Sequence, residues 1–304
     1  MKHEQQGFAH FIVLAIFVLI FVGTAGWLVY SRSKNDSIDS SPEAQVSQTA
    51  IKEETATVEK KAVEVPKEPD SADTISSPEK VTSADGKTYF IYGAPAGQNN
   101  KETKTIIISL PGHGTTADDG YEAWKDHLDG SFALAEFNWW RGTGEKKTDY
   151  YDPASVVLQV RAFLDKQGYE SSDIVILHGF SRGSANTYAV IANDRISRGS
   201  VFDAVISNAG KYQSDFPLVE GKTFTDAEMT QFFKGMPWVL ACGGKDENPT
   251  RDGCPGMEET KTFLEAHQAD VLDIVTDPNS GHGAFHMSKL GLPKQALDLI
   301  RAAL

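Results

Sequence analysis

Residues 174–186 read Ile-Val-Ile-Leu-His-Gly-Phe-Ser-Arg-Gly-Ser-Ala-Asn. An apolar run of this length suits a buried strand. It runs into Gly179-Phe180-Ser181-Arg182-Gly183, a G-x-S-x-G motif whose glycines let the chain turn sharply and hold Ser181 in a strained, presented conformation. A helix is expected over Ser184–Asp194. Its N-terminus, with unpaired N–H groups and the positive end of the helix dipole, points at the serine and favours developing negative charge there. Strand before and helix after make Ser181 a candidate nucleophile.

Outward from the motif, strands alternate with amphipathic helices. Strands are expected at Tyr89–Tyr92, Thr105–Leu110, Ser131–Asn138, Asp173–Leu177, Asp203–Asn208, Pro237–Ala241 and Val271–Val275. Helices are expected at Asp118–Leu128, Pro153–Gln167, Asp226–Phe233, Gly256–His267 and Pro293–Leu304. In Gly256–His267, Thr260 reads as facing out and Phe263 and Leu264 as facing in, and His267 reads as a surface residue. Such alternation implies β-α-β units and a mainly parallel sheet with helices on both faces.

Two further regions precede this pattern. Phe8–Tyr30 is almost wholly apolar and long enough to span a bilayer; a cleaved signal peptide is the alternative reading. Residues 1–34 are therefore expected to form a membrane anchor or signal segment. Residues 35–84 are rich in Ser, Thr, Glu, Lys and Pro and poor in aromatics, which predicts a disordered stalk. The folded domain is placed at 85–304. The formal net charge of −13 and the pI near 5.1 leave no basic stripe for nucleic acid. With two cysteines and no His/Cys cluster at ligand spacing, neither a metal nor a disulfide-framework fold is expected. There is no G-x-G-x-x-G dinucleotide motif, so no cofactor is expected either.

Residues 85–304 resemble an α/β hydrolase on the strength of the serine elbow and the order of its candidate partners. That resemblance implies a chain order of serine, acid, histidine. The acid position falls in Cys242-Gly243-Gly244-Lys245-Asp246, giving Asp246, with Glu247 and Asp252 as neighbouring alternatives. The base position falls in Ser280-Gly281-His282-Gly283, giving His282, with His286 as competitor. A serine hydroxyl needs such a base to take its proton, and a carboxylate fixes the imidazole tautomer.

An oxyanion hole is implied at the backbone N–H of Arg182 and at a second amide in Gly112-His113-Gly114-Thr115, which resembles the His-Gly-x loop of esterases. By that match the second donor is Thr115. Trp139, Trp140 and Arg141 follow a strand on the same edge; they either stack on substrate or pack on the sheet. Lys211–Gly235 exceeds what one helix requires, a length suited to a small lid. Cys242 and Cys254 flank the acid loop and are expected to form a disulfide, which persists only in an oxidising compartment.

The resemblance implies a serine hydrolase of carboxylic esters, loosely similar to feruloyl-esterase and polyester-depolymerase relatives. It acts on a small-molecule or polymer ester and is tethered to a membrane with its catalytic domain outside the cytoplasm, or secreted if the leader is cleaved. A peptidase, a transacylase or a non-catalytic binding module on the same scaffold are the alternatives.

Overall fold

The computed structural model describes residues 77–95, 104–141, 146, 149–197, 199–212 and 216–304. The expected anchor at Phe8–Tyr30 and the stalk up to residue 76 lie outside them. Among the described residues no helix is long and apolar enough to cross a membrane.

Eight strands form one sheet: β1 Glu79–Thr82, β2 Tyr89–Gly93, β3 Thr105–Leu110, β4 Ala133–Phe137, β5 Ile174–Phe180, β6 Ala204–Asn208, β7 Pro237–Gly243 and β8 Asp270–Asp277. Their order is β1-β2-β4-β3-β5-β6-β7-β8. β1 and β2 pair antiparallel with their neighbours, and every pair from β4 to β8 is parallel. Parallel neighbours need crossovers, and helices supply them. The helices are α1 Ala117–Trp124, α2 Pro153–Gln167, α3 Arg182–Ile196, α4 Asp226–Phe233, α5 Cys254–Ala266, the short α6 Ala284–Met287, and α7 Leu292–Ala303.

Helix starts follow local chemistry. Thr116 and Asp119 form a capping box at α1, as Thr225 and Glu228 do at α4. Asp152 caps α2 ahead of Pro153, whose missing N–H costs nothing in a first turn, and α2 stops at Gly168 in the left-handed region.

Side chains alternate across each strand with period two. Ile106 and Ile108 of β3 therefore join Val160, Tyr188, Phe233 and Leu264 in a core under α2–α5. Ile107 joins Trp124, Phe285 and Leu297 in a second core under α1, α6 and α7. A sheet covered on both faces is the architecture that the near-continuous apolar strands predict.

The structure departs from the sequence expectations at several points. β1 lies before residue 85 and pairs with β2 from Glu79↔Tyr92 to Thr82↔Tyr89. Its sequence, Glu-Lys-Val-Thr, buries only Val81, so it carries almost no hydrophobic signal. Thr260 is buried, not outward-facing, because its hydroxyl satisfies itself on the Gly256 carbonyl at 3.0 Å. His267 is buried too, its ring 4.7 Å from that of Phe263. In the segment expected to act as a lid, Phe216 and Leu218 are packed into the core and tie that part down.

A chain cut at Ser83 should therefore melt lower than one cut at Ser77. Burying Val81 alone contributes about 1.5–3 kcal/mol. Thermal unfolding of the two truncations checks this, and equal melting temperatures would show that β1 adds nothing.

Candidate active site

β5 ends at Phe180 and α3 begins at Arg182, leaving Ser181 as the single residue of the turn. Its φ is +53° and its ψ −115°, a conformation that non-glycine residues rarely adopt. Two anchors hold it there: the Ser181 N–H donates to the Asn208 carbonyl at 2.9 Å, and the Ser181 carbonyl accepts from Ala185 N–H at 2.9 Å. The Ser181 side chain makes no capping bond to α3, so its hydroxyl is not spent on the helix. The motif glycines have a steric reason. A Cβ on Gly179 would run into the Gly183 carbonyl, and one on Gly183 into that of Leu110.

Asp246 and His282 come from the loops after β7 and β8. These loops run against each other: Gly244 N–H donates to the Asp277 carbonyl and Lys245 N–H to that of Ser280, both at 2.9 Å. The result is a hydrogen bond of 2.7 Å between His282 Nδ1 and Asp246 Oδ2. The other oxygen, Asp246 Oδ1, accepts from Asn248 N–H at 2.8 Å. The Asp246 side chain is 1% exposed and that of His282 35%. The carboxylate is thus locked while the imidazole keeps an open edge. The His282 ring also packs on Phe180, the residue before the serine, at 5.0 Å.

Of the alternatives, Glu247 is exposed. Asp252 is buried, and its carboxylate takes the Arg251 guanidinium (Nε at 2.8 Å). Asp246, Asp252 and His282 each bring a possible ligand atom within 4.8 Å of the others, the one such group among the described residues. The bonds to His282 Nδ1 and from Arg251 already engage it. His286 lies elsewhere, its ring against Trp124 at 5.1 Å and His178 at 5.6 Å. Burial and the nearby His127 hold its pKa down near 3. Ser181, Arg182, Ala185, Arg251 and Asp252 line a hollow of about 20 Å³. A larger cavity of about 650 Å³ lies between Tyr150–Ala154 and Phe216–Gly221 and includes none of these residues.

The loop after β3 corrects one expectation. The Thr115 N–H donates to the Gly112 carbonyl at 3.3 Å, and the Thr115 hydroxyl to the same oxygen at 2.7 Å. Both donors of Thr115 are spent inside the turn. Gly112, in contrast, abuts the serine: a Cβ there would sit 3.2 Å from Ser181 Cβ. Arg182 opens α3, where the first N–H groups have no helical acceptor.

The aromatic pair takes the packing alternative. Trp139 is fully buried, and its indole N–H donates to the Pro111 carbonyl at 2.9 Å, so it braces the loop after β3 from below. Trp140 is 4% exposed, stacked on Tyr150 and tilted against His113. The Arg141 guanidinium lies over the Tyr151 ring at 4.7 Å. The pair packs on the sheet because indole area is worth more buried than presented.

Sequence reasoning gave no role to Asp277, which braces the histidine loop. Its Oδ2 accepts from Ser280 Oγ at 2.7 Å and from Ser288 Oγ at 2.6 Å. The only available signal was its place at a strand end, just before the turn. Cys242 and Cys254 are disulfide-bonded, with Cα atoms 5.1 Å apart. The bridge closes the loop that carries Asp246 and Asp252.

No protein-family description matches the sequence, and no curated protein does. Solved structures do match. Esterase B from Lactobacillus rhamnosis, inhibited by a tributyrin phosphonate, aligns over 76% of this chain and 85% of its own at a TM-score of 0.54 and 14% identity. Acyl-protein thioesterase 2 from Zea mays aligns over 71% and 99%, with a TM-score of 0.51 and 13% identity. The chain has the α/β-hydrolase fold. An esterase from Pyrococcus furiosus shares it over 75% of this chain and 92% of its own, at a TM-score of 0.50 and 12% identity.

In this α/β-hydrolase fold the disulfide has a measurable role. Closing a loop with a sequence separation of 12 is worth roughly 3 kcal/mol in the chain-entropy model. The double variant Cys242→Ala/Cys254→Ala should lose about that much in urea unfolding. Unchanged stability would mean the cross-link constrains nothing.

Proposed function

We propose that the protein is a serine hydrolase of carboxylic esters working through an acyl-enzyme. Ser181 is the nucleophile, His282 the general base and Asp246 its orienting carboxylate. The observation that carries this is the 2.7 Å bond from His282 Nδ1 to a buried, doubly bonded Asp246, on the same strand-end edge as a serine held at positive φ. That bond puts the proton on Nδ1 and leaves Nε2 as the basic nitrogen. His282 Nε2 takes the hydroxyl proton as Ser181 Oγ attacks the ester carbonyl. It then gives that proton to the leaving alkoxide as the acyl–Ser181 bond remains. Water then attacks the acyl carbonyl with His282 again as base, and His282 returns the proton to Ser181 Oγ as the acyl–Oγ bond breaks and the acid leaves.

The negative oxygen of each tetrahedral intermediate needs fixed donors. The Arg182 N–H at the start of α3 is one. The other belongs to the loop after β3, where Gly112 lies against the Ser181 side chain. Ester substrates fit the esterase neighbours, whose likeness extends to the fold.

The reading also places the enzyme on a membrane through Phe8–Tyr30, with the domain on the extracytoplasmic side. The disulfide supports an oxidising compartment. The direct test of the chemistry is covalent capture of Ser181 by a fluorophosphonate.

A further inference from the structure

Three adjacent parallel strands carry a buried polar residue at one level, where their neighbours on that face are apolar. Ser109 of β3 is in register with Glu136 of β4 on one side and His178 of β5 on the other. All three are at most 1% exposed. They form the floor of a cavity of about 190 Å³, which His286 also lines. Thr115, Asp119, Ala123 and Gly283 also line it, with Met287, which is 83% exposed. Pro111 and Phe180 form part of its wall. Phe180 and Gly283, the chain neighbours of Ser181 and His282, are both among its lining residues.

Its floor is built but unsatisfied. Both carboxyl oxygens of Glu136 are buried without a protein partner, as are His178 Nε2 and His286 Nε2. Room has been kept for the carboxyl: a Cβ on Gly120 would come within 2.5 Å of Glu136 Oε2. Burial pushes the Glu136 carboxyl up to about 8, and the Ser109 hydroxyl is turned to His178 Nδ1 at 2.8 Å rather than to the carboxyl. Trp124 fixes the histidine tautomer. Its indole N–H can only donate, and it donates to His178 Nδ1 at 3.2 Å, so the His178 hydrogen sits on Nε2.

The floor thus offers an N–H donor beside a neutral carboxyl that both donates and accepts. A charged ligand, anion or cation, would give up its hydration over a buried floor that carries no charge to pair with it. A hydroxyl matches both groups. We propose that this cavity is a substrate pocket for a small, largely apolar group ending in a neutral hydroxyl, such as a phenol or alcohol. Its volume suits one ring, since a 150 Å³ apolar cavity takes benzene. Its use as a specificity pocket rests on the hydrolase reading; its binding chemistry does not.

The test has two arms on the full-length chain. In the first, phenol and toluene are titrated at pH 6.5 while the imidazole resonances of His178 and His286 are followed by NMR. Phenol should bind at least about tenfold tighter than toluene, because a site built for a hydroxyl rejects the analogue lacking one. It should also shift both imidazoles. Glu136→Leu should bring the ratio to about one or below, whereas Glu136→Gln, which keeps a donor and an acceptor, should retain most of it.

In the second arm, kcat/KM is compared for methyl 4-hydroxyphenylacetate and methyl phenylacetate. The hydroxylated ester should be preferred, with the same dependence on residue 136. Equal binding of phenol and toluene, or phenol binding that leaves His178 and His286 unmoved, overturns the pocket. Phenol-selective binding with turnover indifferent to the hydroxyl overturns its role in specificity. If no ester is turned over at all, the hydrolase reading fails while the phenol titration still decides the pocket.

Discussion

Ser181→Ala is expected to lower kcat for a model ester by roughly 10⁴- to 10⁶-fold while leaving the melting temperature close to wild type. The hydroxyl makes no structural bond that alanine would break, since it does not cap α3. The backbone bonds to Asn208 and Ala185 survive the change. Removing His282 should cost about as much, because an unassisted serine is a poor nucleophile at neutral pH. Asp246→Ala should cost somewhat less, about 10⁴-fold, as it misorients the base without deleting it. The double variant Ser181→Ala/His282→Ala should be no slower than either single, since the residues act as a unit. Steady-state kinetics of the four variants check this. Additive losses would mean that the serine and histidine work independently.

The second large effect is on stability against pH. Glu136 is buried with no partner, and its carboxyl sits near 8 rather than the ordinary 4.5. In the unfolded chain it ionises from 4.5 upward, while in the fold it stays protonated until about 8. Its contribution is therefore fully present below pH 4.5 and is lost as pH rises toward 8. By pH 8 the loss is on the order of 4 kcal/mol.

His178 and His286 work in the opposite direction. Burial holds both imidazoles below the ordinary 6.5. Unfolding takes up protons below 6.5, so their contribution is present above that value and is lost as pH falls through the acid range. Replacing Glu136 by Gln removes only the first trend. Urea unfolding of wild type and Glu136→Gln should give a stability difference that moves in favour of the glutamine variant between pH 5 and pH 8. A difference independent of pH would show that Glu136 ionises as freely in the fold as outside it.

The central strands β3, β4, β5, β6 and β7 were legible because they are buried on both faces and so read as apolar runs. Thr105–Leu110, Pro153–Gln167 and Asp226–Phe233 begin and end where expected. The placing of Ser181, Asp246 and His282 in turns on one edge of the sheet was legible because strand ends and flanking glycines mark those turns. What escaped was decided by tertiary contact. β1 has one buried apolar residue and takes its place only by pairing with β2.

Trp139 and Trp140 look alike in sequence, and only the position of the Pro111 carbonyl shows that the first is a brace. The choice of amide in Gly112–Thr115 depends on backbone rotations that residue types do not encode. Glu136 is the clearest case. A glutamate inside Ala-Leu-Ala-Glu-Phe is consistent with a solvent-facing strand position. Its burial follows from α1 packing across that face, with Gly120 leaving the space.

The most direct test of the hydrolase reading is covalent labelling with a fluorophosphonate, located by peptide mass spectrometry. The phosphorus should form a bond to Ser181 Oγ with loss of fluoride, since it mimics the carbonyl that the nucleophile attacks. One adduct is predicted, on the peptide containing Ser181, absent from Ser181→Ala and much slower in His282→Ala. Folded wild-type protein that takes no label, or takes it at a residue other than Ser181, would contradict the assignment of Ser181 as an activated nucleophile.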